Sequence, residues 1–567
     1  MSFFEILSIY TIAPFMGFVS GVISIENSSF LKLLTGPLNI AEENLIYFLG
    51  MILLMIYSFS IFLGVMSQIL STRFGNNIGA QISNNMFLNY LNKPPSFFLN
   101  SNSSEVSSAL FNDSARVNMI VVRVMLINIS LFKAFIIVLA LLFYSLKITL
   151  VITVTLTFVY SIIFTLLKKN IGLQGKNLSI AQAHLMKLIN EGFGSFRDLA
   201  INNKQHLFSK FFSTSRKIVA EAKTKVEIYA ALPKHFVEGV GFAIVLSLIV
   251  VLSYDSKDFG TLISTLSIFG ISLIKLIPSF QNLYYNTADI KSSLYSFQKI
   301  QDEIYVKEKN IKTNIIFDEK DNLDNIIFEN VSYVYENNKI PSINLINKKI
   351  KLNGINVIIG KTGAGKSTFF NLCLGLLNPT SGKIYIDDFN ISDSNNNNSW
   401  HKFITCIPQS PFMLDTTIKK NIAYDFENIN ENKVYESVKQ AELETFISSL
   451  DKGLDTVIGE KGIKLSGGQI QRIAIARAMY SDAKVLFLDE ATNALDHSTE
   501  NIIWKKFQSQ KKNKSFFIIS HNLYTLKYAD NIIVIENGNL DVINLSKSNE
   551  LEKKILIDSL LSKNFNF

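Results

Sequence analysis

Cysteine and tryptophan are nearly absent from this sequence, which has two residues of each type among 567. Cys373 and Cys406 lie far apart, so neither belongs to a closely spaced thiol pair of the kind that binds metal. A disulfide-stapled secreted fold is thereby excluded, and both thiols are predicted to be reduced and buried in a cytosolic domain. No basic segment precedes the first apolar run, so no cleavable signal peptide is expected.

Acidic residues are outnumbered by basic ones, and the formal net charge is +8. In a nucleic-acid-binding domain the basic side chains would form a stripe with aromatic residues between them. Here the lysines and arginines flank apolar segments instead. Nucleic-acid binding is therefore not expected.

Apolar residues are abundant but unevenly placed. They make up 48% of the chain, 44 of them are phenylalanine, and long apolar runs occur only before about residue 285. An apolar stretch of about 20 residues is long enough to cross the hydrocarbon core as a helix. Six spans are predicted, at residues 3–24, 45–70, 126–146, 148–167, 233–253 and 259–282.

The connections between these spans alternate in length. Short loops join spans 1–2, 3–4 and 5–6, whereas polar, helix-compatible segments of roughly 55 and 65 residues join spans 2–3 and 4–5. We expect these long segments to extend the spans as helices into water. Their tips are predicted near Pro94–Phe97 and Gly192–Asp198.

Charge predicts the orientation of the spans. The two long segments carry fifteen lysine and arginine residues, whereas the short loops carry only Lys32, Lys147 and Lys257. Basic residues stay preferentially on the cytosolic side, so the long segments and both termini are predicted to be cytosolic.

Two lysines lie within or at the edge of predicted spans. Lys234 follows Pro233 at the start of span 5, and Lys275 precedes Pro278 in span 6. Because a lysine at mid-membrane costs about 2.5–3.5 kcal/mol on insertion scales, such residues usually face a cavity or a partner. Both are candidates for binding an anionic headgroup. For Lys234 the alternative is that it snorkels to the interface or pairs with Glu238, one helical turn away.

The second half of the chain contains a phosphate-binding motif. A short apolar strand, 356–359, precedes the sequence GKTGAGKS at 360–367, and an apolar helix is predicted to follow as far as Leu377. This fits GxxxxGK[ST] in its strand–loop–helix context, in which backbone N–H groups surround phosphate oxygens. The predicted nucleotide-binding residues are Gly360, Lys361, Thr362, Gly363, Ala364, Gly365, Lys366, Ser367 and Thr368.

Several polar residues follow other apolar strands. The run 485–488 ends in Asp489, a predicted ligand of Mg²⁺, and Glu490, a predicted general base that polarises the attacking water. Gln409, after Ile407-Pro408, can contact Mg²⁺ and the γ-phosphate. His521 closes the strand 516–520 and can donate a hydrogen bond to that phosphate. Ser367 completes the predicted metal ligands.

With the segment Leu465-Ser466-Gly467-Gly468-Gln469, these motifs give residues 324–540 a clear resemblance to the nucleotide-binding domain of an ABC transporter. The resemblance implies that Tyr335 stacks on adenine and that 493–496, ending in Asp496, form the D-loop. It also implies that the signature segment 465–469 closes over ATP bound to a second copy. A homodimer with two sites for ATP and Mg²⁺ is expected. The departures are Asn493, where serine is common, and Asn522, where arginine is common.

The membrane half resembles the exporter type of ABC protein. Segments 232–239, 263–269 and 275–279 are similar to bacterial flippases for lipid-linked oligosaccharides of protein glycosylation (Pgl-type). In that family arginines near these places meet the pyrophosphate of the carrier lipid, which implies a substrate-binding role for Lys234 and Lys275. The same branch has a short extracellular helix after span 1, for which Ser29–Leu38 is the candidate.

The expected fold is a six-helix membrane domain of the exporter-type ABC fold followed by an α/β P-loop ATPase domain. The predicted boundaries are 1–300 for the membrane domain, 301–323 for a linker, 324–545 for the ATPase domain and 546–567 for a tail. The expected function is ATP-driven flipping of a polyprenyl-pyrophosphate-linked oligosaccharide across the bacterial inner membrane. Export of lipid A, phospholipid, peptide or drug, an ATP-gated channel, and a soluble ABC ATPase are the alternatives, and the six spans contradict the last.

Overall fold

The computed structural model describes residues 15, 42–94, 97–98, 101–255, 259–305, 323–335, 340–392, 397–520 and 522–545. The chain divides into two compact units, one ending at Lys307 and one beginning at Glu308. Apart from Phe15, the predicted first span lies outside the described residues, as do the candidate helix Ser29–Leu38, residues 306–322 of the predicted linker and the whole predicted tail.

The first unit consists of long helices. They are α1 (Glu42–Leu91), α2 (Ser103–Ser108), α3 (Ser114–Tyr144), α4 (Leu146–Gly194), α5 (Phe196–Ile201), α6 (Gln205–Asp255) and α7 (Phe259–Ile304), with a π-helical turn at Ala109–Asp113. Five of them have an apolar window long enough to cross a membrane within the described ranges. Each overlaps one of the last five predicted spans.

The long segments between spans are helical, as predicted. Helix α1 runs well past its apolar part to Leu91, and α4 runs on to Gly194 before the short helix α5 turns the chain back into α6. The tip predicted at Gly192–Asp198 is therefore confirmed. Helices α6 and α7 continue through Pro233 and Pro278.

Close approaches and a buried polar network hold the first unit together outside the predicted spans. A Cβ on Gly175 would overlap the carbonyl oxygen of Ser292, so α4 and α7 meet backbone to backbone. The carboxylate of Asp113 is buried and accepts hydrogen bonds from Ser179 (2.8 Å) and Ser296 (2.7 Å), while Lys299 pairs with its second oxygen at 2.8 Å. One carboxylate thus joins three helical elements.

The second unit contains two sheets. The four-stranded antiparallel sheet has the order β2 (Ile343–Lys351), β1 (Asn325–Tyr333), β4 (Ser381–Ile386) and β5 (Phe389–Asn390). The six-stranded sheet has the order β10 (Asn539–Asn544), β9 (Asn531–Glu536), β3 (Ile355–Ile359), β8 (Ser515–Ile519), β7 (Val485–Asp489) and β6 (Ile404–Ile407). All of its neighbouring strands are parallel except β10, which pairs antiparallel with β9.

Helices pack on both faces of this parallel sheet, which explains why its central strands are apolar at nearly every position. They are α8 (Lys366–Cys373), α9 (Asn397–Trp400), α10 (Ile418–Ala423), α11 (Glu431–Gln440), α12 (Glu444–Ser448), α13 (Gly467–Tyr480) and α14 (His497–Gln510). The two cores lie on opposite faces: Phe487 and Phe517 contribute to one, Leu486 and Phe516 to the other.

Two sequence predictions need correction here. The helix after the phosphate-binding motif ends at Cys373 rather than Leu377, because Gly375 takes a left-handed conformation (φ 69°) that stops it. Cys373 is buried as predicted, but Cys406 is exposed because it lies on β6, an edge strand. Both thiols are free.

Candidate functional site: a nucleotide site at the sheet edge

The predicted site residues follow four neighbouring parallel strands. Gly360 directly follows β3, Glu490 follows β7 and Gln409 comes two residues after β6. Because β3, β8, β7 and β6 are adjacent and parallel, these residues meet at the carboxyl edge of one sheet, where ligands of α/β proteins bind. His521, which follows β8, lies outside the described residues.

Residues 360–368, which we call the nucleotide loop, begin directly after β3 and include the first residues of α8. Gly363 (φ 83°) and Gly365 (φ 104°) are both left-handed, and a Cβ on Gly365 would overlap the carbonyl oxygen of Ser342. The side chains of Ala364, Lys366 and Thr368 are buried, whereas those of Lys361, Thr362 and Ser367 are exposed. The buried residues therefore fix the nucleotide loop to the domain, and its exposed residues form a rim that is accessible to a ligand.

Lys366 is held inside the nucleotide loop. Its ammonium group donates hydrogen bonds to the carbonyl oxygens of Gly360 (2.7 Å) and Lys361 (3.1 Å). Burial lowers the pKa of Lys366, and the nearby carboxylates of Glu490 and Asp489 oppose that shift. The cation that the sequence assigns to phosphate thus lies within electrostatic reach of the two acids assigned to the metal and to the base.

Glu490 has an unusual backbone. Its φ of 50° is left-handed, a conformation that costs a non-glycine residue free energy and is enriched at functional sites. The strand therefore ends at Asp489, and the Glu490 amide donates to the carbonyl of Ile519 (3.1 Å). The Gln409 side-chain amide donates to Glu490 Oε2 at 2.8 Å. Gln409 and Glu490 are thus brought together although 81 residues separate them.

The donor set suits a hard cation. Ser367 offers a hydroxyl oxygen, Gln409 an amide oxygen and Asp489 a carboxylate, and Mg²⁺ prefers oxygen ligands while keeping several waters. No group of three or more His, Cys, Asp and Glu side chains is close enough to bind a metal in the ranges described above. A Mg²⁺ ion here would depend on these few oxygens together with phosphate oxygens.

The signature segment forms the start of α13. Ser466 is its N-cap in a capping box, in which the Ser466 amide donates to Gln469 Oε1 (2.8 Å) and the Gln469 amide donates to Ser466 Oγ (3.3 Å). Ser466 and Gly467 are exposed. A Cβ on Gly468 would lie 2.9 Å from the carbonyl oxygen of Ala494, so this end of the helix packs on the predicted D-loop.

Asp496 and Tyr335 are the two remaining described residues that the sequence assigns to the site. Asp496 caps α14, and hydrogen bonds from the Ser498 hydroxyl and the Thr499 amide hold the pKa of Asp496 below its usual range. The hydroxyl of Tyr335 lies 3.2 Å from Thr368 Oγ1, and its ring packs edge-on against Tyr333. Tyr335 is therefore beside the nucleotide loop.

Two side chains near Glu490 were missed as site residues in the sequence. Gln471 is buried in α13, donates weakly to the Glu490 carbonyl (3.5 Å) and accepts a hydrogen bond from the Ala494 amide (2.8 Å). Asn493, noted in the sequence only as a departure, donates to Glu490 Oε2 at 2.8 Å. A polar residue on the helix that begins at the signature was the only available hint of Gln471.

The two candidate substrate lysines have local partners in the first unit. Lys234 on α6 lies 3.9 Å from Glu238 and its side chain is 58% exposed, so the pairing alternative is realised in this structure. Lys275 on α7 is half-buried, with its ammonium group 4.9 Å from the ring centroid of Tyr57 on α1. The substrate role of the two lysines stays a prediction.

Comparisons with known proteins agree with this architecture. Residues 10–275 match the family described as ABC transporter transmembrane region, and residues 343–493 match the one described as ABC transporter. A solved structure of a bacterial Atm1-family ABC exporter with ATP bound superimposes with a TM-score of 0.79, covering 97% of both chains at 19% sequence identity. At that identity the likeness concerns the fold.

Curated relatives match over less than half of the chain. An ATP-dependent lipid A-core flippase of Blochmanniella pennsylvanica is 42% identical over 38% of this chain and 36% of its own length. The flippase of the same name from Blochmanniella floridana is 35% identical over 49% and 47%, respectively. A Staphylococcus aureus protein to which multidrug export is provisionally ascribed is 38% identical over 38% and 37%.

The alignments thus span less than half the length of these relatives. The two family matches, in contrast, cover both halves of the chain in the order membrane region, then ATPase. The chain belongs to the ABC transporters, as an exporter-type half-transporter whose membrane domain and ATPase domain are fused in one polypeptide.

Proposed function

We propose that two copies of this chain form an ATP-driven exporter that moves a lipid with a phosphorylated headgroup out of the cytosolic leaflet. The single observation that carries the ATPase part is the convergence of residues 360–368, Gln409 and Glu490 at one sheet edge. The Gln409–Glu490 hydrogen bond of 2.8 Å measures that convergence. The transport part rests on the five long apolar helices that precede it.

The nucleotide loop would hold the phosphates of ATP. Its exposed rim offers backbone N–H groups at the start of α8, where the helix field favours anions. Lys366 would exchange its bonds to the carbonyls of Gly360 and Lys361 for phosphate oxygens. Tyr335, beside Thr368, would stack on adenine.

Ser367, Gln409 and Asp489 would hold Mg²⁺, which when bound neutralises charge on the phosphates. Glu490 would accept a proton from the attacking water, and the amide of Gln409 would keep its carboxylate in place. His521 would donate a hydrogen bond to the γ-phosphate. These side chains would all come from the subunit whose nucleotide loop holds the ATP.

A second copy of the chain would complete each site. Ser466 and Gly467 are exposed at the N-terminus of α13, so they are available to face ATP bound to the other subunit. Asp496 of the D-loop would lie at the same junction. Each subunit would then contribute the nucleotide loop to one site and the signature segment to the other.

For the cargo we propose first a polyprenyl-pyrophosphate-linked oligosaccharide. Lys234 and Lys275 supply positive charge in the membrane unit that suits a pyrophosphate, although a lysine lacks the bidentate fork of arginine. The second candidate is a lipid A-type molecule, which the similarity to two ATP-dependent lipid A-core flippases favours. Both cargoes carry anionic phosphate on a lipid.

The proposed location is the bacterial inner membrane with the ATPase domain in the cytosol. The excess of basic residues in the long segments between spans supports this orientation. An ATP-gated channel would share the same site, and single-channel recording distinguishes it from a pump. Voltage-driven ion currents that persist while ATP is bound would contradict the exporter proposal.

The test is ATP hydrolysis by the protein in lipid nanodiscs, with Glu490→Gln as the blank. A polyprenyl-pyrophosphate oligosaccharide, a lipopolysaccharide core lipid and hydrophobic drugs are added in separate arms. Stimulation by the first, lost in Lys275→Ala but kept in the matched variant Lys147→Ala, supports the first cargo.

Stimulation by the core lipid alone favours the second cargo, and stimulation by drugs alone contradicts both. Persistent turnover in Glu490→Gln would contradict the assignment of Glu490 as the general base. Lys147 is a suitable control because it is a lysine at the start of α4, in a predicted short external loop.

A further inference from the structure

A tight turn links Glu490 to Asn493. The turn begins at Glu490, whose φ is left-handed. It is closed by a hydrogen bond of 3.2 Å from the backbone N–H of Asn493 to the backbone carbonyl oxygen of Glu490. The chain reverses over these four residues and returns the side chain of residue 493 to that of residue 490. The contact is therefore local and is formed within one subunit.

Two amide groups hold the same carboxylate oxygen. Asn493 Nδ2 and Gln409 Nε2 each donate to Glu490 Oε2 at 2.8 Å. The terminal torsion of a glutamate side chain is broad and nearly two-fold, so a single hydrogen bond leaves the carboxylate free to rock. Two donors from separate elements, one after β6 and one after β7, fix its plane.

The turn is also held from behind by α13. The buried amide of Gln471 contacts both ends of the segment, donating to the Glu490 carbonyl (3.5 Å) and accepting from the Ala494 amide (2.8 Å). Asn493 therefore projects from a backbone that is itself constrained. A donor on a fixed backbone is what accurate orientation of a carboxylate requires.

We propose that Asn493 is a positioning residue for ATP hydrolysis, which clamps Glu490 Oε2 together with Gln409 and so orients the carboxylate towards the attacking water. This inference rests on the proposed function, in which Glu490 is the general base. Serine, which is common at this position in the family, carries its donor one bond nearer the backbone and has a shorter reach.

The test compares kcat and KM for ATP in the full-length protein in nanodiscs for Asn493→Ala and Asn493→Asp. Alanine removes the donor, and aspartate keeps the shape of asparagine but sets a second carboxylate against Glu490. We expect kcat to fall about 10-fold with alanine and further with aspartate, while KM changes less than about twofold. Asn513→Ala, an exposed asparagine at a distant turn, is the matched control and should keep the kcat of the unmodified protein.

If Asn493 had only a structural role, the order of the two kcat values would be reversed, because the isosteric aspartate would then be tolerated better than alanine. An aspartate variant with kcat within twofold of the unmodified protein, or above that of the alanine variant, overturns the inference. If Glu490→Gln itself hydrolyses ATP normally, the part of the proposed function that makes Glu490 the general base fails first. If Glu490→Gln loses turnover but both Asn493 variants keep the kcat of the unmodified protein, only the clamp is contradicted and the role of Glu490 stands.

A double variant separates the clamp from any effect of residue 493 on closure of the two copies. In Glu490→Gln with Asn493→Asp, the donor and acceptor are exchanged, so a hydrogen bond between the two side chains is retained. We expect ATP to trap a closed dimer in this variant to the same extent as in Glu490→Gln, measured by cross-linking. Loss of the trapped dimer would assign Asn493 to closure instead and overturn the clamp.

Discussion

The nucleotide site and the proposed headgroup site are built differently. Lys366 is buried and makes two bonds to backbone carbonyls, and Glu490 is held by side chains from two separate elements. Lys234 pairs with Glu238 on its own helix at 3.9 Å, and its side chain is 58% exposed, while the ammonium group of Lys275 lies 4.9 Å from the ring centroid of Tyr57. The predicted phosphate and base groups are thus held by the backbone and by two separate elements, whereas Lys234 is held by a single residue of its own helix.

The two units also differ in how their apolar residues are covered. The second unit covers its parallel strands with its own helices, and β3 is buried at every position. In the first unit the apolar windows of the five long helices are only 6–33% buried by the chain itself. Lipid or a second copy must cover the rest, because exposed apolar surface on this scale is unfavourable in water.

The largest expected effect lies at the base. Glu490→Gln should lower ATP turnover by about 10²- to 10⁴-fold, because the amide cannot accept the proton from water. ATP should still bind and trap a closed dimer, which size-exclusion chromatography and cross-linking measure. Turnover within tenfold of that of the unmodified protein would break the comparison, because Glu490, although it is held by two separate elements, would not be the group that activates water.

The second-largest effect is expected at Asp113, the buried carboxylate of the first unit. Asp113→Ala removes the acceptor shared by Ser179, Ser296 and Lys299, and should lower the free energy of unfolding by about 3 kcal/mol. The midpoint of thermal unfolding in detergent measures this. Asp302→Ala, an exposed acid on α7, should change stability by less than about 0.5 kcal/mol. Equal midpoints for the two variants would show that the network does not stabilise the unit.

Lys366→Ala should weaken ATP binding by about 10- to 100-fold, because a hydrogen bond to a charged group is worth about 1.5–3 kcal/mol. A fluorescent ATP analogue titrated into the purified protein measures the dissociation constant. Lys349→Ala, whose side chain is exposed on β2 outside the predicted nucleotide site, serves as control and should bind ATP as well as the unmodified protein. A matching loss in both variants would show that the loss at Lys366 is not specific to the phosphate contacts.

The smallest effect is expected at Lys234. Its side chain and that of Glu238 are each about half-exposed, and such pairs contribute little, so Lys234→Ala should change stability by less than about 0.5 kcal/mol. Basal ATP turnover should be unchanged, whereas stimulation by an added pyrophosphate lipid should fall. A clear loss of basal turnover would sharpen the comparison by linking this helix to the ATPase cycle.

Much of the site followed from local patterns. The nucleotide loop, the acids after β7 and the signature segment are short motifs whose spacing predicts their chemistry, and the strands around them were located to within a residue. The end of α8 was wrong by four residues, since the left-handed Gly375 outweighed the apolar pattern. The contacts of Gln471 and Asn493 were missed because they depend on a turn and on helix packing, which carry no periodic signal.

The sequence by itself determined the order of the two halves, the five described spans with their helical extensions, and the residues at the ends of the parallel strands. Those features depend on local periodicity, on composition and on glycine-rich turns, which act over a few residues. Only the tertiary structure decided that Gln409 and Asn493 meet on one oxygen of Glu490, and that Asp113 joins three helical elements. Such contacts depend on strand order and helix packing, which bring together residues as far as 186 positions apart in the chain.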